Sequence, residues 1–485
     1  MRIGFDNQKY IKLQSQNIQK RVAKFNKLYL EFGGKLFDDY HASRVLPGFK
    51  PDSKVKMLFG IKEKVEIIIV VNAHDINSNK VRGDLGITYE TEVKRLIDAY
   101  HEADLYVSSV VISFYQESPL VESFMNQLEK SGIKVYKHYK IAGYPHNIPL
   151  IVSEDGLGKN EYVQTSRPLV VVTAPGPGSG KMATCLSQLY HDNKNGIHAG
   201  YAKYETFPVW NLPLYHPVNL AYEAATVDLL DVNMIDPFHL EAYGVTAVNY
   251  NRDIEVFPLL KAIFEKIYGV APYKSPTDMG VNMIGFAIKN QEEAEKASKA
   301  EIVRRYYSTM KNNFLGRYDD ESVSRMELVM NRAGVSINDR KCVKVCLDKK
   351  AKENVPCLAI ELNAKKIVTG KRSPLLTASA ALLLNSLKVL AKIDDSIPLL
   401  SKHVIEPIQE LKIRDLHNHN PRIHAEEVLI ALAIAANSNP LAAIALKNIS
   451  KLKGCQAHSS YLLHQVDIHT FHKLGIDVTE EVVPY

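Results

Sequence analysis

Two rhythms of apolar and polar positions run along the first third of the chain. β-branched apolar runs at 65–71 and 107–114, a shorter one at 133–139 and the run Leu169-Val170-Val171-Val172-Thr173 read as buried strands. Between them, 90–102 and 119–131 carry apolar positions at helical spacing. Apolar strands separated by amphipathic helices predict a doubly wound, mainly parallel α/β sheet covered on both faces. Ahead of it, Ile11, Ile18, Val22, Phe25 and Leu28 fall on one helical face and predict an amphipathic helix within 8–30. Residues 288–333 read as helical, with Glu292, Glu293, Glu295, Lys296 and Lys299 on a solvated face. Residues 342–347, 358–362 and 364–371 read as hairpin strands, and 373–385 as a helix buried on nearly all sides.

These elements divide the chain into a Rossmann-like α/β domain with a P-loop-like anion site (1–275), a helical subdomain (276–335) and a C-terminal α/β domain (336–485). A hairpin feeding a buried helix resembles the opening of the cytidine-deaminase-like fold. Where that fold places a zinc ligand, this chain has Thr377, Ala378 and Ser379.

The strand ending at Thr173 runs into Ala174-Pro175-Gly176-Pro177-Gly178-Ser179-Gly180-Lys181. Glycines there allow a tight turn with positive φ, so successive N–H groups can converge on an anion at the start of a helix. Gly176, Gly178, Ser179, Gly180 and Lys181 are the candidate binders of ATP or another phosphorylated ligand. Pro175 replaces the first glycine of the phosphate-loop pattern and Met182 its hydroxyl residue, which leaves Thr184 as the nearest hydroxyl for magnesium. The loop resembles that of adenylate-kinase-like nucleotide kinases.

In doubly wound sheets ligands sit beyond the carboxyl ends of the strands, so 72–75, 116–118 and 174–181 are expected on one rim. The polar segment 32–49, with Asp38, Asp39, His41, Ser43 and Arg44, is a candidate pocket loop. Further on, Asp231, Asp236 and His239 are the candidate catalytic residues, able to hold magnesium or act as base beside Asp228, Asn233 and Glu241.

A second reading centres on His424, Glu426, Cys455 and His458, whose ligand types suit the zinc of a hydrolase or deaminase. Gly454 stands where the deaminase pattern has proline, and as helix cap and buried hydrophobe the same residues have a structural explanation. Zinc is therefore the weaker expectation, and no metal ligand is assigned. A third reading is a non-catalytic phosphometabolite-binding protein.

The net charge of +6 over 485 residues is mild and interspersed, and no nucleic-acid stripe is evident. No apolar run approaches the ~18–20 residues a bilayer requires. The start of the chain lacks the pattern of a secretory signal, and five cysteines without CxxC spacing suit reduced thiols. A cytoplasmic protein that binds a small phosphorylated molecule is expected, of a size compatible with a homo-oligomer.

Four strings carry a family resemblance that runs nearly end to end. They are Phe37-Asp38-Asp39-Tyr40-His41-Ala42-Ser43-Arg44-Val45-Leu46-Pro47-Gly48, the 174–182 loop, Asp231-Val232-Asn233-Met234-Ile235-Asp236-Pro237-Phe238-His239, and Gly454-Cys455-Gln456-Ala457-His458. In them the chain resembles a bacterial family catalogued as domain of unknown function 1846. The resemblance implies an α/β part, a mainly helical insert and a C-terminal part of deaminase-like topology, and carries no activity with it.

Overall fold

The computed structural model describes residues 3–33, 36–37, 39–82, 86–362 and 366–483. Gly34, Lys35 and Asp38 of the polar loop, and residues 364 and 365 of the hairpin, lie outside them. The chain forms two compact units, 2–298 and 299–485.

The first unit is built on a seven-stranded sheet. Its strands are β1 (Lys27–Phe32), β2 (Val65–Asn72), β3 (Tyr106–Ser113), β4 (Lys134–Lys137), β5 (Leu169–Thr173), β6 (Ala199–Tyr204) and β7 (Gly280–Val281). The order is β7-β6-β1-β5-β2-β3-β4, and every neighbouring pair is parallel. After β4 the chain returns to insert β5 between β1 and β2, with Leu169 in register with Leu28 on one side and Val65 on the other. It then crosses β1 to place β6. This reversal brings the carboxyl ends of β1, β5 and β6 side by side, where ligands of such sheets are held.

Side chains alternate across β5 as the pleat requires. Leu169 and Val171 pack with Leu28, Ile67, Val93 and Phe124 on one face, and Val170 and Val172 with Cys185, Leu186, Phe257 and Phe264 on the other. Helices α1 (Asn7–Val22), α2 (Tyr89–Glu102), α3 (Pro119–Lys130), α4 (Lys181–Lys194) and α5 (Asn251–Tyr268) belong to this unit. A short antiparallel hairpin, Asn233–Ile235 with Val248–Tyr250, precedes α5.

The segment 8–30 departs from the predicted single helix. Asp6 caps α1 by accepting from the Lys9 N–H at 2.9 Å, the helix stops at Val22, and the chain then enters the buried strand β1. Lys27 and Glu31 hide this strand in the sequence, because both are charged yet buried, Lys27 beside Asp192 at 3.6 Å and Glu31 beside the Tyr201 hydroxyl at 2.6 Å. β6 escapes notice for the same reason.

The second unit carries a four-stranded sheet of β8 (Cys357–Glu361), β9 (Ile367–Lys371), β10 (Gln456–Ser459) and β11 (Asp477–Glu480) in the order β9-β8-β10-β11. β8 is antiparallel to both neighbours, and β10 and β11 are parallel. The residues 342–347, predicted as strand, lie within the helix Lys341–Glu353, whose Cys342, Val343 and Cys346 form a buried stripe. The predicted buried helix is α6 (Ala378–Ala391), packed so closely on β9 that a Cβ at Gly370 would lie 2.3 Å from the Leu382 nitrogen. A second apolar helix, α7, spans Ala425–Ala435. Among the described residues no helix is long and apolar enough to cross a membrane.

Candidate functional site

The loop after β5 turns tightly and differs in how its carbonyls and amides are engaged. Gly176 meets the Tyr89 side chain so closely that a Cβ would lie 2.1 Å from the Tyr89 hydroxyl oxygen. Gly178 and Gly180 take φ of +72° and +86°, the left-handed region that glycine enters without penalty. Four carbonyls of the loop are occupied: Ser179 Oγ donates to Gly176 O at 2.6 Å, Asn72 Nδ2 to Gly178 O at 3.4 Å, Ser113 Oγ to Ser179 O at 2.6 Å and the Thr184 N–H to Gly180 O at 3.0 Å. The N–H groups of Gly178, Ser179, Gly180, Lys181 and Met182, by contrast, have no hydrogen-bond acceptor among the described residues. Bare amides at the start of a 14-residue helix add to its positive dipole end. Asn72, within the expected 72–75, meets the loop from the end of β2, and from β3 the contact is made by Ser113 while Ser118 of the expected 116–118 bonds to Asn77.

Thr184 lies in the first turn of α4 but faces elsewhere. It is fully buried, with its hydroxyl 3.3 Å from His138 Nδ1. Burial pushes His138 down to about 4, so its ring is neutral at neutral pH. His138 Nε2 lies 3.0 Å from the Glu161 carbonyl, which can only accept, so Nε2 carries the proton and Nδ1 takes the Thr184 hydrogen.

Lys181, the first residue of α4, is partly buried, and no ion-pair partner stands against its ammonium among the described residues. Burial lowers its pKa, with Glu31 opposing and the Lys203 charge reinforcing the shift. Lys203 and Glu31 belong to a buried charge cluster at the carboxyl ends of β1 and β6. The Lys203 ammonium donates to Asp253 Oδ2 and to the Tyr250 hydroxyl, and lies 3.5 Å from Glu205 Oε1. One ammonium cannot neutralise two buried carboxyls. Asp253 and Glu205 together keep Lys203 charged by raising its pKa against burial, while burial and the Asp253 charge push Glu205 up to about 8, overcoming Lys203. Glu205 is 8% exposed, and its Oε1 makes no hydrogen bond.

Asp231 flanks this cluster. Its carboxylate accepts from Arg252 Nη2 at 2.8 Å and from the Tyr222 hydroxyl at 3.4 Å, and burial raises its pKa against the Arg252 charge. Asp236 and His239 take part in a different contact. Asp236 Oδ1 caps the helix Pro237–Tyr243 by accepting from the His239 N–H at 3.0 Å, and Oδ2 accepts from the N–H and hydroxyl of Thr277 at 3.1 and 2.6 Å. His239 Nδ1 lies 2.9 Å from Ser275 Oγ, so both residues fasten the short helix to the 275–277 turn. In the polar loop, Asp39 caps the helix Tyr40–Val45 and pairs with Lys54 at 2.8 Å, and His41 sits edge-on to Phe207.

The zinc quartet is dispersed over separate contacts. His424 Nδ1 lies 3.3 Å from Asp467 Oδ2, Glu426 lies 3.6 Å from Lys473, Cys455 Sγ donates to Lys451 O at 3.6 Å, and His458 sits between Thr479 Oγ1 and Glu481 Oε1. Among the described residues no three His, Cys, Asp or Glu side chains are placed to share a metal ion.

Glu31, Lys203, Glu205, Tyr250 and Asp253 were absent from the sequence-based candidates. For Glu31 and Lys203 the signal is a charge at the next-to-last position of a strand, which becomes legible only once β1 and β6 are recognised. A half-open cavity of about 280 Å³, lined by Phe25, His198, Tyr201 and Tyr268 among others, lies at the amino end of β6, on the rim opposite the loop.

Comparison with known proteins covers nearly the whole chain. A family model described as domain of unknown function DUF1846, N-terminal, matches residues 3–334, and its C-terminal counterpart matches 338–483. A UPF0371 protein of Streptococcus pyogenes serotype M5 (strain Manfredo) is 54% identical over 482 residues, 99% of this chain and 98% of the relative. A UPF0371 protein of Streptococcus equi subsp. zooepidemicus is also 54% identical, covering 99% of this chain and 96% of its own length.

Proposed function

The chain belongs to the family described as domain of unknown function DUF1846, and from that premise we propose that it is a cytoplasmic enzyme holding a nucleotide or other phosphorylated metabolite at the 176–182 loop. The observation that supports this reading is the polarity of the loop, in which the carbonyls of Gly176, Gly178, Ser179 and Gly180 are engaged while the amides from Gly178 to Met182 have no acceptor among the described residues. Unpaired amides at a helix start favour an anion, which meets both the N–H groups and the positive dipole end. Lys181, the first residue of α4, adds its ammonium at the same helix end.

Acid–base work falls to the Lys203, Glu205 and Asp253 cluster, with Asp231 at its flank. A carboxyl that keeps its proton near neutrality is suited to general acid catalysis. In this reading Asp236 and His239 shape the wall of the site through the Thr277 and Ser275 contacts. Phosphoryl transfer is the reaction class that follows from the likeness to nucleotide kinases. The five free, buried cysteines support a reducing, cytoplasmic setting. The hairpin feeding α6 supports a cytidine-deaminase-like topology for the second unit, taken as architecture alone.

The test is a thermal-shift screen of phosphorylated metabolites against the natural protein, Lys181→Ala and Gly178→Ala. A ligand bound only by the native state raises the unfolding midpoint. Gly178 faces open space at φ +72°, so an added methyl distorts the loop without striking a neighbour. The expected result is a ligand-induced rise that both variants lose. A rise of equal size in all three proteins rejects the loop as the binding site.

A further inference from the structure

The geometry points to a second binding site in the half-open cavity at the amino end of β6, one that takes an uncharged, flat heteroaromatic molecule with a hydrogen-bond acceptor on its edge. The site lies on the rim opposite the glycine loop and is independent of it.

The cavity follows from an unequal pairing of β6. On one side β1 runs along its whole length, whereas β7 on the other side pairs only with Lys203 and Tyr204, so residues 199–202 present an open strand edge. Each residue of a strand turns its N–H and C=O to the same side, and successive residues alternate. Ala199 and Tyr201 are the two that face outward here. Their carbonyls are met by tyrosine hydroxyls, Tyr268 donating to Ala199 O at 2.8 Å and Tyr273 to Tyr201 O. The Ala199 N–H turns back to Ile197 O at 3.0 Å. The Tyr201 N–H has no acceptor among the described residues, although Tyr201 is only 1% exposed. A buried amide without a partner is rare, and this one belongs to the strand edge that lines the cavity. Being a donor, it asks for an acceptor on the ligand.

The walls select the shape. Phe25 covers one face of β6 so closely that a Cβ at Gly200 would lie 2.4 Å from its ring, and Phe264 packs with Tyr201 on the other face with ring centroids 6.0 Å apart. At the mouth the His198 ring stands 5.2 Å from Phe25 and 6.3 Å from Tyr268, and its nitrogens have no hydrogen-bond partner among the described residues. Flat rings stack or meet edge to face on such walls, and saturated rings do not. No Asp, Glu, Lys or Arg lines the cavity, which favours a neutral guest over an ion. A dry cavity of about 150 Å³ already holds benzene, so about 280 Å³ admits two fused rings.

The experiment is calorimetric titration of the full chain with quinoline, indole and cyclohexanone. Quinoline is flat and carries an acceptor nitrogen, indole is flat without one, and cyclohexanone carries an acceptor on a ring that cannot stack. Expected is saturable binding of quinoline about tenfold tighter than either other probe, since each of those lacks one of the two interactions. Phe25→Leu keeps an apolar wall and removes its flat face, and His198→Ala alters only the exposed mouth. Each should weaken quinoline severalfold, and His198→Ala should do so with the melting midpoint unchanged. Lys181→Ala should leave quinoline binding as it is. The proposal is overturned by equal affinities for the three probes, by quinoline binding that neither cavity variant weakens, or by its loss in Lys181→Ala. It is equally overturned if no probe gives saturable heat, the result of a cavity that holds water alone. None of these outcomes bears on phosphate binding at the glycine loop.

Discussion

Replacing Lys203 by methionine keeps most of the side-chain length and removes the one ammonium shared by Asp253, Tyr250 and Glu205. Lys203 and Asp253 have side chains 8% and 6% exposed, so water cannot take over the lost partner. Breaking a buried ion pair by deleting one member costs about 3–5 kcal/mol, because the other charge is stranded. For a unit of nearly 300 residues, at roughly 2 °C per kcal/mol, this is a fall in melting midpoint of about 6–10 °C. The sign of the pH dependence follows from linkage. Without Lys203 the buried Asp253 and Glu205 carboxyls have no countercharge, and proton uptake by the folded state takes its place. The defect is then small near pH 4, where the unfolded carboxyl is itself half protonated, and grows as pH rises towards neutrality. Differential scanning fluorimetry of Lys203→Met between pH 4.5 and pH 8, with Lys203→Met/Asp253→Asn alongside, measures this. The double variant should recover most of the loss. A midpoint within about 2 °C of the natural protein at pH 8, or a defect independent of pH, refutes the account of a buried, lysine-centred cluster.

Other outcomes follow from single contacts. Gly176→Ala drives a methyl into the Tyr89 hydroxyl at 2.1 Å and should cost about 1–3 kcal/mol, read as a lower midpoint that Gly176→Ala/Tyr89→Ala partly restores. Gly370→Ala meets backbone atoms of α6 at 2.3 and 2.6 Å, which cannot swing aside, and should leave the second unit protease-sensitive while the first resists digestion. His138 is held neutral with its pKa down at about 4, below the unfolded value of about 6.5, so its contribution is full above about pH 6.5 and is lost as pH falls towards 4. That loss amounts to about 3 kcal/mol, and His138→Gln should flatten the fall in midpoint between pH 7 and pH 5 that the natural protein shows. Ser113→Ala frees the Ser179 carbonyl from its 2.6 Å bond and should weaken phosphate binding severalfold in a calorimetric titration with inorganic phosphate, with little change in midpoint, since only the loop is loosened.

Residue order alone determined the strands from Val65 to Thr173, the helices between them and the glycine loop, because each is a local pattern: an apolar run, a helical period or a backbone turn that only glycine enters. It could not determine β1 or β6. Lys27, Glu31 and Lys203 read as solvent-facing positions until their partners are known, and those partners are distant along the chain. Glu31 meets Tyr201 across 170 residues, and Lys203 meets Asp253 across 50. A buried charge is tolerated only where another group compensates it, and that is a property of the folded neighbourhood, which no local window contains. The tertiary structure likewise set Asp236 against Thr277, His239 against Ser275 and Thr184 against His138, contacts that composition does not contain. It is the insertion of β5 between β1 and β2 that brought Lys181, at the end of the glycine loop, within reach of the Glu31 and Lys203 charges.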